Sequence, residues 1–148
     1  MATRKDFFLA VLKDLDPKYV RIGIRRVRRV TFMLQWSLAE SGYNACNGQS
    51  GAKFNPLNTT TASGITTNYN SVGVKNEPTF GNGVAATVAT LKNGHYANIL
   101  GELKWATSTT KMAQAVASSP WGTGAGVLNV QKSWTIFKRR QVAALKVG

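Results

Sequence analysis

The feature that most constrains this chain is an apolar stretch that ends in a carboxylate and a glycine. It begins at residues 32–34, and helical spacing places Met33, Trp36 and Glu40 on one side of a helix. Because glycine is favoured just beyond a helix C-terminus, Gly42 indicates that Glu40 lies in the last helical turn. The pattern therefore predicts a helix that packs one side inward and carries an acid at its C-terminal end.

Glu40 differs from the other acidic residues in its surroundings. The C-terminal end of a helix carries partial negative charge, and an apolar neighbour such as Trp36 keeps water from the carboxylate, so both effects raise the pKa. A glutamic acid that stays protonated near neutral pH suits general acid catalysis at a glycosidic oxygen. An ordinary glutamate at a fraying helix end is the alternative. The remaining acids lie beside Lys, Pro or turn residues and are expected to be solvated: Asp6, Asp14, Asp16, Glu77 and Glu102.

The charge balance limits the partners. The chain has 148 residues, and its 19 Lys and Arg against six acids give a net charge of +13. This excess favours a polyanionic partner, which is a nucleic acid, an anionic membrane or an anionic cell wall. The length suits one domain, and no apolar run approaches the roughly 18 residues of a membrane span. With Cys46 and His95 as its single Cys and His, the chain has no internal disulfide, and we expect no metal and no cofactor.

Periodicity predicts a mainly helical chain. Apolar residues repeat at helical spacing over 4–15, where Thr3 and Asp6 resemble a capping box. Asp16, followed by a proline, predicts that this helix stops and another begins. Residues 30–41 form the helix of Glu40. Further helical patterns cover 84–91, 96–104 and 109–117, the last with a threonine cap at 109 or 110.

Three segments depart from this helical pattern. Residues 18–30 interleave five arginines with Val and Ile, which indicates either a solvated basic face or a patch that faces wall polymer or nucleic acid, and Gly23 argues against one continuous helix. Residues 41–83 are rich in Asn, Gly, Ser and Thr, and a loop-rich region of this length is usually functional. A short hairpin is expected around 65–74. The tail 127–148 fits a strand followed by a helix, but its periodicity does not decide.

Six short segments, taken in order, resemble a known family. They read FLAVL at 8–12, QWSLAESG at 35–42, FNPLNTT at 54–60, TNYNSVGVKN at 67–76, ATVATLKNGHY at 86–96 and SPWGTG at 119–124. Together they resemble the lysozyme-like peptidoglycan hydrolases of actinobacteriophages, which occur as endolysin modules and tail-associated lysins. The chain departs from the family at Ser41, where Gly is usual, and at Glu77, where an aromatic residue is usual. Residues 18–29 and the tail after 128 have no counterpart.

The resemblance implies a lysozyme-like single domain, mainly α with a small hairpin, in which Glu40 is the catalytic acid. Residues 1–126 would form the glycan-cleaving domain, and 127–148 would be a basic extension packed on or attached to it. The loop at 55–60 would form one wall of the cleft. The implied function is cleavage of peptidoglycan glycan strands by a muramidase or lytic transglycosylase, at phage entry or host lysis. The substrate-binding residues would be Trp36, Asn58, Thr60, Ser71 and Tyr96.

The individual roles have alternatives. Asn58, Thr60 and Ser71 also suit ordinary turns, and Tyr96 also suits a core position at a helix start. Glu77 is not assigned as a second catalytic carboxylate, because it falls where the family has no acid. With one acid, either the muramyl 6-hydroxyl attacks, as in a lytic transglycosylase, or a water held by Asn58 and Thr60 attacks, as in a hydrolase.

The expected partners are bacterial peptidoglycan, anionic wall polymers bound through the basic surface, and other virion proteins. The N-terminus lacks a signal-peptide pattern, so we expect the protein in the phage tail, or in the host cytoplasm with release to the wall. Two other classes remain open. One is a Cys–His peptidase that uses Cys46 and His95. The other is a basic virion or nucleic-acid-binding protein with an inactive lysozyme-like scaffold, although no helix-turn-helix, zinc finger or RNA-binding motif is present.

Overall fold

The fold is mainly helical, with one small antiparallel sheet, as the sequence predicts. The computed structural model describes residues 2–42 and 51–148. A two-stranded sheet, β1 (Thr67–Asn68) and β2 (Lys75–Asn76), lies between the second and third helices along the chain. The α-helices are α1 (Arg4–Leu15), α2 (Ile24–Ser41), α3 (Phe80–Leu91), α4 (Ala97–Trp105), α5 (Thr109–Ala117), α6 (Gly126–Lys132) and α7 (Ile136–Ala143).

The local signals at the N-terminus produce the predicted structure. Thr3 and Asp6 form a capping box, in which the Thr3 N–H donates to Asp6 Oδ2 at 2.9 Å and Thr3 Oγ1 accepts from the Asp6 N–H at 3.2 Å. The Asp16 carboxylate accepts from the Lys18 N–H at 2.9 Å and begins a 3₁₀-helix at Pro17–Val20. Further along, Ser108 caps α5 through the Lys111 N–H, so the expected threonine caps are wrong by one or two positions.

α2 is the central helix of the fold. It begins after Gly23, whose φ of +152° suits only glycine well, and it ends at Gly42 with φ +61°. Its middle is buried on every side from Arg29 to Ser37, because α1, α5, α6 and α7 all pack against it. A helix that is covered in this way carries apolar residues around most of its circumference. The helix of Glu40 is therefore longer than the predicted 30–41 and starts at the basic segment.

The C-terminal residues belong to the same core as the rest of the chain. Val127, Val142 and Val147 are buried in one cluster with the apolar residues of α1 and α2. The segment 127–148 forms two short helices and then pairs with the N-terminus through a bridge between Thr3 and Lys146. Segment 127–148 therefore packs on the rest of the chain through one shared core, and its assignment as an extension of a domain at 1–126 stays a prediction.

Segment 51–64 is held in place by the side chain of Asn55. Asn55 Nδ2 donates to the Thr59 and Lys75 carbonyls, both at 2.8 Å, while Asn55 Oδ1 accepts from the Thr59 N–H at 2.8 Å. The Phe54 carbonyl lies so close to Gly83 that a Cβ there would come within 2.0 Å of it. Segment 51–64 is therefore seated against both β2 and α3, despite its loop composition.

Glu77 corrects one expectation from the sequence. It was expected to be solvated, but only 2% of its surface is exposed. Its Oε2 accepts from the Ser63 N–H at 3.2 Å, whereas Oε1 has no hydrogen-bond partner among the described residues. Burial raises the pKa of this carboxyl group, against the opposing effects of the Ser63 N–H and the charge of Lys75. Glu77, which directly follows β2, is buried because segment 51–64 packs over it.

Arg29 corrects the reading of the basic segment as one exposed face. Its guanidinium donates to the carbonyls of Leu103 at 2.7 Å, Lys104 at 2.9 Å and Tyr19 at 3.2 Å. It also lies 4.4 Å from the centroid of the Tyr19 ring. Arg29 therefore joins α2 to the end of α4 and to the 3₁₀-helix and is not available to an outside anion.

A second buried arginine joins the start of α1 to the end of α2. Arg4 is fully buried, and its guanidinium donates to Ser37 Oγ at 3.0 Å, Ser41 Oγ at 3.3 Å and the Gly42 carbonyl at 2.7 Å. The Arg4 N–H donates to the Leu145 carbonyl at 2.7 Å. Because the last carbonyls of a helix have no partner within the helix, a cation placed there is favourable. The helix turn that carries Glu40 is held in this way.

Replacing Arg4 with alanine should lower the free energy of unfolding by about 3 kcal/mol, because the Gly42 carbonyl loses a buried partner and a cavity opens. Urea denaturation followed by circular dichroism measures the loss. Arg140→Ala, at an exposed position on α7, is the matched control and should change stability by about 0.5 kcal/mol or less. Equal losses in the two variants would show that the Arg4 contacts do not support the fold.

Candidate active site around Glu40

The carboxyl group of Glu40 lies in a half-buried position where two parts of the chain meet. It accepts a hydrogen bond from the Thr123 hydroxyl, which comes from the turn before α6. The indole N–H groups of Trp121 and Trp36 also act on it. Trp36 precedes Glu40 by one helical turn, so α2 itself supplies that contact. The site is therefore built from the end of α2 and the segment between α5 and α6.

Glycines bring Thr123 to this place. Gly122 has a φ of +91° and Gly124 a φ of +55°, conformations in which most other residues are strained. At the start of α6, a Cβ on Gly126 would lie 3.5 Å from the Cβ of Ala39 and 2.8 Å from the Thr123 methyl group. The turn at 122–124 therefore places Thr123 beside Glu40, and Gly126 leaves room for the Thr123 methyl group where α6 meets Ala39 of α2.

A series of aromatic rings in contact forms the apolar side of the site. Trp36 lies 5.5 Å from Phe32 and 4.6 Å from Trp121, measured between ring centroids. Trp121 in turn lies 5.1 Å from Tyr96. The series runs from the buried interior to half-exposed positions at Trp121 and Tyr96. Water is consequently kept from one side of the Glu40 carboxyl group, while the other elements leave it partly exposed.

The pKa of Glu40 is raised above that of an ordinary glutamate. Burial is the main cause, because the charged form loses hydration. The hydrogen bond from Thr123 and the nearby indole N–H groups of Trp121 and, least, Trp36 oppose this shift by favouring the carboxylate. The Trp36 Nε1 atom is buried and has no hydrogen-bond partner of normal geometry within residues 2–42 and 51–148, so its effect is that of a nearby N–H dipole. The pKa of Glu40 is thus shifted in the direction that the sequence predicts, and the main cause of the shift is burial.

The loop at 55–60 lies directly against the end of α2. Asn58 Nδ2 donates to the Glu40 carbonyl at 3.0 Å, and the Ser41 hydroxyl donates to the Pro56 carbonyl at 2.9 Å. Asn58 has a φ of +55°, which asparagine tolerates better than most residues. Its side-chain amide therefore caps the helix of Glu40, and a role in substrate binding stays a prediction.

The other expected binding residues fall in different places. Tyr96 is half-buried at the outer end of the aromatic series, and Thr60 and Ser71 are both exposed, Ser71 in the turn between β1 and β2. Trp36 is a correction: it is fully buried, so its ring does not contact a bound sugar in this conformation. Its position one helical turn before Glu40 places it under the carboxyl group, where it excludes water.

Sequence reasoning missed the roles of Thr123, Trp121 and Arg4. The first two lie in the SPWGTG segment, which carried part of the resemblance but received no role. Nothing in the spacing along the chain indicates that residue 123 contacts residue 40. For Arg4, a place beside Lys5 at a helix start gave no sign of burial, because arginine is rarely buried without partners.

Glu40 stands without a second acid. All six acidic residues lie in the described part of the chain, and no other carboxyl group contributes to the pKa shift of Glu40. Asp6 and Asp16 cap helices, while Glu77 is held by Ser63. His95 is exposed, and Cys46 lies outside the described residues. Within those residues, no group of three His, Cys, Asp or Glu is arranged to hold a metal ion.

Comparison with models of protein families, with curated proteins and with solved structures finds no match to this chain.

The raised pKa of Glu40 makes a prediction about stability and pH. A group whose pKa is higher in the folded state contributes stability that is fully present below its unfolded pKa, near 4.5, and that is lost as the pH rises through the folded value. Glutamine cannot ionise, so Glu40→Gln does not lose this stability as the pH rises. We therefore expect the variant to exceed the wild type in unfolding free energy at pH 7, and the difference to shrink as the pH falls toward 4.

Urea denaturation from pH 4 to pH 8 measures this difference. Glu77→Gln should behave in the same direction, because burial also raises the pKa of Glu77, and the double variant should show the flattest profile. Glu102→Gln, on α4, serves as the control. A Glu40→Gln profile parallel to that of the wild type would contradict the raised pKa.

Proposed function

We propose that this protein cleaves the glycan strand of bacterial peptidoglycan, as a muramidase or a lytic transglycosylase of a phage, with Glu40 as the general acid. The observation that carries the proposal is the Glu40 carboxyl group, which is half-buried between Thr123 and two indoles and has a raised pKa. In a site of this kind the acid stays protonated near neutral pH and can donate its proton to the leaving oxygen as the bond breaks. We also propose that the chain is a lysozyme-like domain, as the resemblance of its sequence motifs implies.

In the proposed reaction the contacts of Glu40 hold the proton in place. The Thr123 hydroxyl donates to one carboxyl oxygen of Glu40. We infer that the other oxygen carries the proton and gives it to the glycosidic oxygen as the bond to the sugar carbon breaks. The resulting carboxylate keeps the hydrogen bond from Thr123 and the favourable effect of the indole N–H groups. It then accepts a proton from the attacking hydroxyl.

The absence of a second acid beside Glu40 favours attack from within the substrate. Glycosidases with two carboxyl groups place them roughly 5 to 9.5 Å apart, one on each side of the bond. Asp6, Asp16 and Glu77 are held by other backbone N–H groups, and no carboxylate is among the causes of the Glu40 pKa shift. Attack by the muramyl 6-hydroxyl needs no second carboxylate, because Glu40 serves as acid and then as base. Of the two options, a lytic transglycosylase is therefore favoured over a muramidase.

Glu40→Gln should reduce the rate of wall lysis by about 10²- to 10⁴-fold, the range for loss of a general acid. Glutamine keeps the shape of the side chain and an acceptor for Thr123, so folding and pelleting with purified peptidoglycan should remain. Turbidity loss of peptidoglycan suspensions measures the rate, and Glu102→Gln should lyse like the wild type. Wild-type lysis by Glu40→Gln would remove Glu40 from the chemistry.

Mass spectrometry of digested peptidoglycan identifies the bond and the mechanism. We expect muropeptides that end in 1,6-anhydromuramic acid, because the site offers one acid and no second carboxylate. A reducing N-acetylmuramic acid end would instead show a muramidase, and a reducing N-acetylglucosamine end would show a glucosaminidase. Free stem peptides without a new sugar end would contradict glycan cleavage and would favour the pair Cys46 and His95.

Thr123→Val tests how the site sets the pKa of the acid. The hydroxyl of Thr123 lowers the pKa of Glu40, so its removal should move the basic limb of the pH–rate profile to higher pH. Valine retains the shape of the side chain, and a modest loss of rate, about tenfold, is expected because the carboxyl group also loses an orienting contact. An unchanged pH–rate profile would show that Thr123 does not act on the acid during catalysis.

A further inference from the structure

Apolar side chains are exposed at the end of α2 opposite to Glu40. Ile22 is 93% exposed, Ile24 62% and Trp105 60%. They come from the turn before α2 and from the end of α4, and all three line one open cavity of about 550 Å³. Singly exposed apolar residues are ordinary, but a cluster that rims one depression marks a surface that binds something.

Cationic side chains surround the same cavity. Lys18, Arg21, Arg25 and Lys104 line it, and within the described ranges none of them has a salt bridge to a carboxylate. The acid in the lining is Asp16, which accepts from the Lys18 N–H. On the other side of Ile22, a smaller cavity of about 140 Å³ is lined by further cations, which are Lys5, Arg26 and Arg139. The apolar cluster thus lies in a strongly positive surface.

The structure holds these groups in a fixed arrangement. The buried guanidinium of Arg29 joins the 3₁₀-helix, α2 and the end of α4, the three segments that carry the exposed residues. Gly23, with φ +152° and open space around it, makes the turn that leaves Ile22 in solvent. Three separate segments are therefore kept together, although most of the surface of Ile22, Ile24 and Trp105 stays in solvent.

We propose that this surface docks on an anionic phospholipid bilayer. Ile22, Ile24 and Trp105 enter the interfacial region, where aliphatic and indole groups are favoured, and the four flanking cations contact lipid phosphates. A nucleic acid or a phosphate-bearing wall polymer would engage the cations equally well. Neither, however, would remove the isoleucines from water, and this apolar component selects the membrane.

The location separates this surface from the candidate active site. Ile24 and Glu40 lie 16 residues apart on one helix, or about 24 Å along its axis. A bilayer held at the start of α2 would leave the Glu40 end directed away from the lipid. Docking is consequently compatible with a substrate that lies outside the membrane, and it does not depend on what Glu40 does. No helix of the described residues is long and apolar enough to cross a membrane.

Co-sedimentation with vesicles of phosphatidylglycerol and phosphatidylcholine tests the proposal, with pure phosphatidylcholine vesicles as the comparison. The wild type should bind the anionic vesicles at 0.15 M salt. Its affinity for the neutral vesicles should be lower by about tenfold or more, because each cation is attracted to the anionic surface. Ile22→Ser with Ile24→Ser should reduce binding to anionic vesicles by about tenfold or more. Ile65→Ser, at a site that is 94% exposed elsewhere, is the matched control and should bind like the wild type.

Charge variants and competing polymers complete the test. Arg21→Gln with Arg25→Gln should weaken vesicle binding by about tenfold, whereas Lys53→Gln with Lys92→Gln, also two exposed cations, should change it little. Brominated lipids should quench the fluorescence of the wild type more than that of Trp105→Phe. Thermal unfolding confirms that each variant is folded.

Two results would overturn the proposal. One is the absence of binding to anionic vesicles. The other is vesicle binding that needs the arginines but is unaffected by the isoleucine substitutions, with equal or tighter binding to duplex DNA or to poly(glycerol phosphate). That pattern would assign the surface to a phosphate-bearing polymer.

Discussion

The buried guanidinium of Arg4 is the interaction on which the rest of the structure depends. It comes from the first turn of α1 and bonds to Ser37, Ser41 and Gly42 in the last turns of α2. It gives the Gly42 carbonyl a buried partner and places a cation at the negative end of a long helix. Because the same residue bonds through its N–H to the Leu145 carbonyl, both chain ends meet where α2 stops. The position of Glu40 is consequently tied to the whole molecule.

The candidate active site follows from how this end of α2 is covered. One side is closed by the aromatic series through Trp36 and Trp121, and the other is met by Asn58 and the loop at 55–60. Neither side brings another carboxylate. The result is an acid whose pKa is raised by lost hydration and restrained by hydrogen bonds, and not one raised by a neighbouring negative charge. This distinction underlies our preference for a one-acid mechanism.

The two ends of α2 differ in chemistry as well as in position. Its N-terminal end begins without a side-chain cap and is surrounded by cations, while its C-terminal end carries the half-buried acid. Each end is fixed by one buried arginine, Arg29 at the start and Arg4 at the end. One rigid helix therefore relates a basic, apolar surface to a candidate catalytic group at a set separation. The proposed membrane docking and the proposed glycan cleavage are independent uses of that arrangement.

Local sequence signals accounted for much of the secondary structure and for Glu40. The capping box at Thr3, the proline after Asp16 and the glycine at 42 act within a few residues of one another, so their effects can be read along the chain. The direction of the Glu40 pKa shift was likewise foreseeable, because burial among apolar residues raises the pKa of a carboxyl group. By contrast, the mixed tail 127–148 was ambiguous, because its two helices are short and owe their stability to packing more than to periodicity.

Contacts between distant residues required the tertiary structure. Thr123 reaches Glu40 because the turn at 122–124 and the missing side chain of Gly126 leave room for it. Trp36, which was expected to contact substrate, is fully buried against Trp121. Glu77 and Arg29 are polar residues that the sequence places in solvent, yet folding buries both under segments far along the chain. The residue type, which the sequence gives, determines whether a group can carry charge and which hydrogen bonds it can form. Whether a carboxyl group is dry or an arginine is satisfied depends on which backbone comes to lie beside it, and that is settled by packing.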